Sequence, residues 1–265
     1  MLSTASFFDL SDFDHPGLFA LGPVWETLKH LKSYLEGISQ PAATDGLPPY
    51  QPLAETLVLF AGELLPARGL EIEFGDATKG RLIVRRDRQV LAGASVLMAG
   101  AVLGGPGIHI GGGVLVEAGA LIKGPAVIGD CTEVRQGAYL RGYCLTGRRC
   151  VLGHVTEAKH VILLNDAKAG HFAYLGDSIL GNQVNLGAGT KLANLRFTGG
   201  EVPVRTPEGV VNTGLRKLGA IMADGVQTGC NSVTNPGALL GRKAMLMPNA
   251  TAASGYHPPN TLIRG

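Results

Sequence analysis

The chain has 265 residues, of which 45% are hydrophobic, 17% charged and 6% aromatic, and 39 are glycine. A formal net charge of +2 without any basic run excludes a nucleic-acid partner on compositional grounds. The longest strongly apolar stretch, LVLFAGELL at 57–65, carries Glu63 and is too short to cross a bilayer, so no membrane association is expected.

The N-terminus, MLSTASFFDLSDFDH, is acidic and lacks the basic region of a secretory signal, which points to a cytoplasmic protein. The segment VWETLKHLKSYLEGI, 24–38, puts Trp25, Leu28, Leu31 and Leu35 on one helical face, after Pro23 and with Gly37 near its end. A Pro-rich connection, 39–52, follows, and then two candidate strands, GLEIEF and GRLIVRR. Residues 1–88 therefore read as a small mixed cap.

Beyond residue 88 the sequence repeats. Stepping by six from Ile110 gives Ile110, Val116, Ile122, Ile128, Val134, Leu140, Thr146, Leu152 and Ala158, apolar except for Thr146. Stepping by six from Val114 gives Val114, Ala120, Ala126, Thr132, Ala138, Cys144, Cys150 and Thr156, all small. The phase breaks near residue 160, then returns in Leu180, Leu186, Leu192 and again in Met222, Thr228, Thr234, Leu240, Leu246, Ala252. Short strands joined by tight turns, each pointing one aliphatic inward, produce this pattern, and stacked coils then bury a core that no repeat buries alone. The fold expected is all-β, a left-handed parallel β-helix of hexapeptide repeats over 89–256, with a C-terminal tail at 257–265. Two segments interrupt the ladders: 159–179, and a polar loop at 195–217 expected to protrude from one edge. Four cysteines, Cys131, Cys144, Cys150 and Cys230, form no CxxC and read as reduced thiols, two of them within the small-residue series.

The stretch HVTEAKHVILLNDAKAGHFAYLGDSILGNQVNLGAGTKLANLRF, 154–197, together with RKLGAI at 216–221, resembles the acetyltransferase domain of the bifunctional enzymes that make UDP-N-acetylglucosamine. It is most similar to the archaeal-type sugar-1-phosphate nucleotidyltransferase/acetyltransferases, over roughly residues 125–250. The resemblance implies acetyl-CoA as co-substrate, an amino-sugar 1-phosphate as acceptor and a homotrimer, with no metal. It implies His171 as the base that takes the amine proton and Asn194 as a residue orienting base or substrate. Tyr174 and Asn185 would contact the amino sugar, Arg141 and Lys159 would hold its phosphate, and the backbone at Ala188 and Cys230 would serve acetyl-CoA. Arg135 competes with Arg141, but the ungapped spacing to Lys159 favours Arg141. Asp166 and Asp177 read most simply as turn residues.

The chain departs from that pattern in places. No glycine-rich nucleotidyltransferase segment opens it, so uridylyl transfer is not expected, and a separate nucleotidyltransferase becomes a candidate partner. The family's lysine shortly after the NLRF-type asparagine is missing, and TGGEVPVR, 198–205, offers only Arg205. Cys230 stands where the family has serine, and Met247 and Pro248 replace small residues. Two alternatives arise. One is a non-acetylating binding or scaffold homologue that keeps a sugar-phosphate or nucleotide-sugar pocket. The other is a zinc hydratase of the γ-carbonic anhydrase type using His154 and His160, but the repeat places those two on different faces.

Overall fold

A computed structural model describes residues 2–19, 22–38 and 40–264; residues 1, 20, 21, 39 and 265, including the outer ends of the first and last segments assigned above, lie outside it. The chain folds as the expected left-handed parallel β-helix with three faces. Face one carries strands such as Glu133–Val134, Val151–His154, Lys168–His171 and Asn185–Leu186. Face two carries Leu121–Lys123, Tyr139–Leu140 and Lys191–Leu192, and face three carries Ala126–Ile128, Cys144–Thr146 and Ala220–Met222. The inward ladder Ile122, Leu140, Ala158, Leu175, Leu192 is fully buried, as the hexads require. Each large aliphatic in it contributes about 1.5–3 kcal/mol by leaving water.

The break in phase near residue 160 has a compact cause. Glu133 pairs with Val151, 18 residues on, but Val151 pairs with Lys168 and Lys168 with Asn185, 17 residues on. The missing residue is lost at the corner between faces two and three. There Leu140 and Cys144 bracket one coil's turn, whereas Ala158 and Val161 bracket the next. His160 and Asp177 take left-handed backbone angles at this corner, φ 53° and 46°, so Glu157–Leu163 and Tyr174–Leu180 turn it as unbroken seven-residue strands. The segment 159–179 is thus regular coil, not an interruption.

The rest of the chain covers two faces and leaves the third open. Phe7, Phe8, Phe13, Leu18 and the helix Glu26–Glu36, through Leu28, Leu31 and Leu35, pack against Val127, Leu145, Ile162, Ile179, Ile221 and Leu239 on the outside of face three. The helix of the N-terminal region therefore lies along a side of the β-helix instead of over its end. Leu57–Phe60 pairs antiparallel with Ser95–Leu97 and closes the first coil, with Leu47, Leu53 and Leu64 against the core. Glu71–Glu73 and Ile83–Arg86 form a small sheet whose Val84 packs with Val96 and Leu115 on the outside of face one.

Residues 195–217 do not simply project. Pro203–Thr206 and Gly209–Asn212 form a hairpin; Val202 and Val204 are buried in the cluster over face three, where Gly237 leaves room for them, and Gly255 makes the same room for Arg205. The strand Gly209–Asn212 and the hydrophobic side chains of Leu195 and Phe197 stay exposed. At the other end, Leu262–Ile263 pairs with Met245–Leu246 and continues face one, so the residues after 256 extend the coil instead of trailing from it. Among the described residues no helix is long and apolar enough to cross a membrane.

The cysteines divide by environment. Burial pushes the thiols of Cys144 and Cys150 up to about 12, while Cys230 is exposed. Iodoacetamide at neutral pH should label Cys230 in the native protein and reach Cys144 and Cys150 only after denaturation, as peptide mass spectrometry would read.

Candidate active site

His171 ends the strand Lys168–His171 at the corner between faces one and two, and its side chain is exposed. Its imidazole stacks on His154 of the coil below, centroids 5.6 Å apart and planes 24° apart. Two residues, Phe172 and Ala173, turn the corner, the first at φ 52°, and Tyr174 then opens face two. His154 and His160 lie at different corners, as the repeat requires.

Up the same corner from His171 stands Ala188, and above it Cys230. The His171 carbonyl accepts from the Gly189 N–H (3.0 Å), and the Ala188 carbonyl from the Asn231 N–H (2.7 Å). Among the described residues the Ala188 N–H donates to no protein atom, which leaves a backbone donor for a ligand at this corner. Asn185 is exposed on face one, in register with Lys168 and Gln227. It lies on the other side of the corner from Arg141 and Lys159.

Face two carries the charged part. Tyr139, Glu157, Tyr174 and Lys191 form one outward column, and Arg141 and Lys159 belong to the next, Lys159 level with Gly176. Arg141 donates to Glu157 (2.7 Å), so part of its charge is already met. Lys159 makes no ion pair among the described residues. Arg135, the competitor, is turned away on face one, held to the buried Glu133 at 2.6 Å.

At the far edge of face two a buried chain of polar groups orients the remaining residue. Asn194, 9% exposed, donates from Nδ2 to the Asp177 carboxylate at 2.5 Å, and its Oδ1 faces the Tyr174 hydroxyl at 3.5 Å. Asp177, 7% exposed, also pairs with His160 Nδ1 at 3.0 Å. Asp177 is thus no mere turn residue. Burial pushes its carboxyl up, but the hydrogen bonds from His160 and Asn194 and the nearby charges of His160 and Lys159 outweigh this and hold it below the usual range. Burial, then the carboxylates Glu157 and Asp177, raise the Tyr174 phenol, which stays a neutral donor at neutral pH.

A depressed folded-state pKa stabilises the protein above the unfolded value and ceases to do so as pH falls through the folded one. Asp177→Asn should therefore cost about 1–3 kcal/mol near pH 7. The gap from wild type should close below about pH 4, which thermal melts across pH would follow.

The sequence alone gives Glu157 no role, reads Asp177 as a turn residue and names His154 only for the zinc alternative. Their signal is a spacing of 17: His154 to His171, Glu157 to Tyr174, His160 to Asp177 and Asp177 to Asn194. A cleft of about 560 Å³ lies on face one between Phe74–Asp76 and a floor of Glu117, Glu133 and Arg135, and meets this site through His154.

No family model matches the chain. It is 36% identical over 146 residues to a bifunctional sugar-1-phosphate nucleotidylyltransferase/acetyltransferase of Sulfurisphaera tokodaii, a match covering 48% of this chain and 36% of that one. It is 38% identical over 104 residues to the bifunctional protein GlmU of Methanocaldococcus jannaschii, covering 39% of this chain and 25% of the relative. For GlmU of Thermosynechococcus vestitus the figures are 32% over 136 residues, 51% and 26%. The chain thus spans about a quarter to a third of these relatives' lengths. Among solved structures, a Francisella novicida UDP-N-acetylglucosamine acyltransferase superposes at TM-score 0.39 with 15% identity over 60% of each chain, too loosely to carry an argument. Over about half its length, the chain is a relative of the acetyltransferase part of the bifunctional sugar-1-phosphate nucleotidyltransferase/acetyltransferases, set on a hexapeptide-repeat β-helix.

Proposed function

We propose that the protein transfers the acetyl group of acetyl-CoA to the amine of glucosamine or galactosamine 1-phosphate. One observation carries the reading. The chain covers face three and part of face one with its own residues, and Arg141, Lys159, Tyr174 and His171, to which the sequence resemblance gives roles, lie on or beside the face it leaves open.

The sugar phosphate lies on face two, with Lys159 and Arg141 on its phosphate and Tyr174 and Asn194 on the ring. Its amine reaches the corner at His171. Imidazoles exchange protons near neutrality, which suits the base to an amine nucleophile. His171 takes a proton from the amine as nitrogen bonds to the thioester carbonyl carbon. The Ala188 N–H meets the oxygen on which charge develops. The carbon–sulfur bond then breaks, and the CoA thiolate leaves and takes up a proton. No acyl-enzyme is needed: Cys144 and Cys150 are buried, and among the described residues no hydrogen bond joins the thiol of Cys131 or Cys230 to a base.

The acting unit is a homotrimer in the cytoplasm. Phe172 and Val155, exposed and stacked at the corner beside His171, supply an apolar edge for a neighbouring copy. A separate nucleotidyltransferase would take the product onward. Thiol release from acetyl-CoA with each sugar phosphate tests the reading. Release that depends on the sugar supports it, and sugar-phosphate binding without release favours the non-acetylating binding protein.

A further inference from the structure

The row of cations on face two does not stop at Arg141. Ile122 pairs with Leu140, and the Arg141 N–H donates to the Ala158 carbonyl, so Lys123, Arg141 and Lys159 follow the ladder in successive coils. Neighbouring coils lie about 4.8 Å apart, which puts Lys123 about 10 Å below Lys159 along the row. Arg141 between them is met by Glu157, whereas Lys123 and Lys159 pair with no carboxylate among the described residues.

Lys123 is held in place by two rings, its Nζ 5.2 Å from the centroid of Tyr139 and 5.8 Å from that of Tyr50. Tyr50 comes from the Pro-rich connection, which crosses the foot of face two and donates its backbone N–H to the Leu103 carbonyl at 2.8 Å. Its ring lies against Gly104, where a side chain would collide with it. Tyr50 has φ 59°, an unusual conformation for a tyrosine, and remains 59% exposed. A large ring fixed on the backbone and left open to solvent offers a flat surface for another planar group.

We propose that the acceptor site continues down face two through Lys123 to Tyr50, and that the amino sugar it takes is linked to a nucleoside diphosphate. This rests on the reading of face two as the amino-sugar phosphate site. The first phosphate meets Lys159 and Arg141, the second meets Lys123, and the nucleobase stacks on Tyr50. Base stacking on an aromatic ring tolerates any base, so the class is set by the diphosphate and the base plane together. A sugar 1-phosphate would occupy the upper part alone and leave Lys123 and Tyr50 without a role.

The test is calorimetric titration of the full chain, without acetyl-CoA, with glucosamine 1-phosphate, UDP-glucosamine and UDP. UDP-glucosamine should bind about tenfold tighter than glucosamine 1-phosphate, the worth of one added charge-assisted contact. Lys123→Ala and Tyr50→Ala, both at the surface, should each remove part of that gain, the double variant should erase it, and all three should leave glucosamine 1-phosphate affinity within about twofold. Equal affinity for the two sugars in wild type overturns the extension while the sugar-phosphate reading stands. Equal weakening of both sugars by Lys123→Ala overturns it as well, since Lys123 then acts only through its field. UDP binding that depends on Lys123, with glucosamine 1-phosphate unbound and unacetylated, upholds the nucleotide subsite and rejects the acetyl acceptor assigned above.

Discussion

Replacing His171 with alanine is expected to lower kcat for amine acetylation by about 10²–10⁴-fold, the range for a lost general base. KM for the sugar phosphate should change little. Lys159 and Tyr174, the residues proposed for the phosphate and the ring, belong to a different face and keep their own supports. The variant should also melt with wild type, because the His171 ring is exposed and among the described residues it meets only the rings of His154 and Phe172. A loss that instead appeared in KM, with kcat intact, would move His171 from the chemistry to binding. His154→Ala is the companion: it removes the stacked ring beneath His171 and should give a smaller fall in kcat.

Gly153→Ala should destabilise the fold by about 3 kcal/mol, and Gly170→Ala, one coil above, should not. Both glycines lie on face one, just before the two stacked histidines. A methyl group on Gly153 would run into the Gly170 carbonyl, whose backbone cannot yield without parting the coils. A methyl group on Gly170 meets nothing. Neither residue has the positive φ that would itself penalise alanine. Alanine at Gly170 should even add about 0.4–1 kcal/mol by restricting the unfolded chain. Because Gly153 precedes His154, its alanine variant should also disturb the histidine stack and depress activity beyond the loss of folded protein. Urea titration of the pair reads the contrast directly.

The β-helix was legible in the sequence because one inward aliphatic per hexad is a local rule, and the chain obeys it from Ile110 to Ala158. The helix at 26–36 was legible for the same reason, since Leu28, Leu31 and Leu35 fall on one face. Its docking place was not. Lateral packing on face three depends on outward residues such as Val127, Ile162 and Ile221, and the only trace they leave is an unbroken apolar run in stretches like Ala126–Ile128, Val161–Leu163 and Ala220–Met222. A strand buried on both sides loses alternation, and there the hexad count gives no warning.

The site was legible only in part. Hexad arithmetic assumes 18 residues per coil, and where the corner at His160 and Asp177 saves one residue it places side chains out of phase. Counted by 17, His154 falls beneath His171, and His160, Asp177 and Asn194 line up into the bonded chain that the structure contains. Asp177 does hold the left-handed backbone of a turn, as an aspartate commonly does; burial and two polar partners, which no local pattern announces, give it the second role.

The central claim, acetyl transfer onto a sugar amine through His171, is tested most directly by following carbonyl-labelled [¹³C]acetyl-CoA with glucosamine 1-phosphate and the wild-type protein by NMR. The account predicts that the thioester signal is replaced by an amide carbonyl on the sugar, at a rate that His171→Ala lowers by about 10²–10⁴-fold. Persistence of the thioester in the presence of bound sugar phosphate, or amide formation undiminished in His171→Ala, would contradict it.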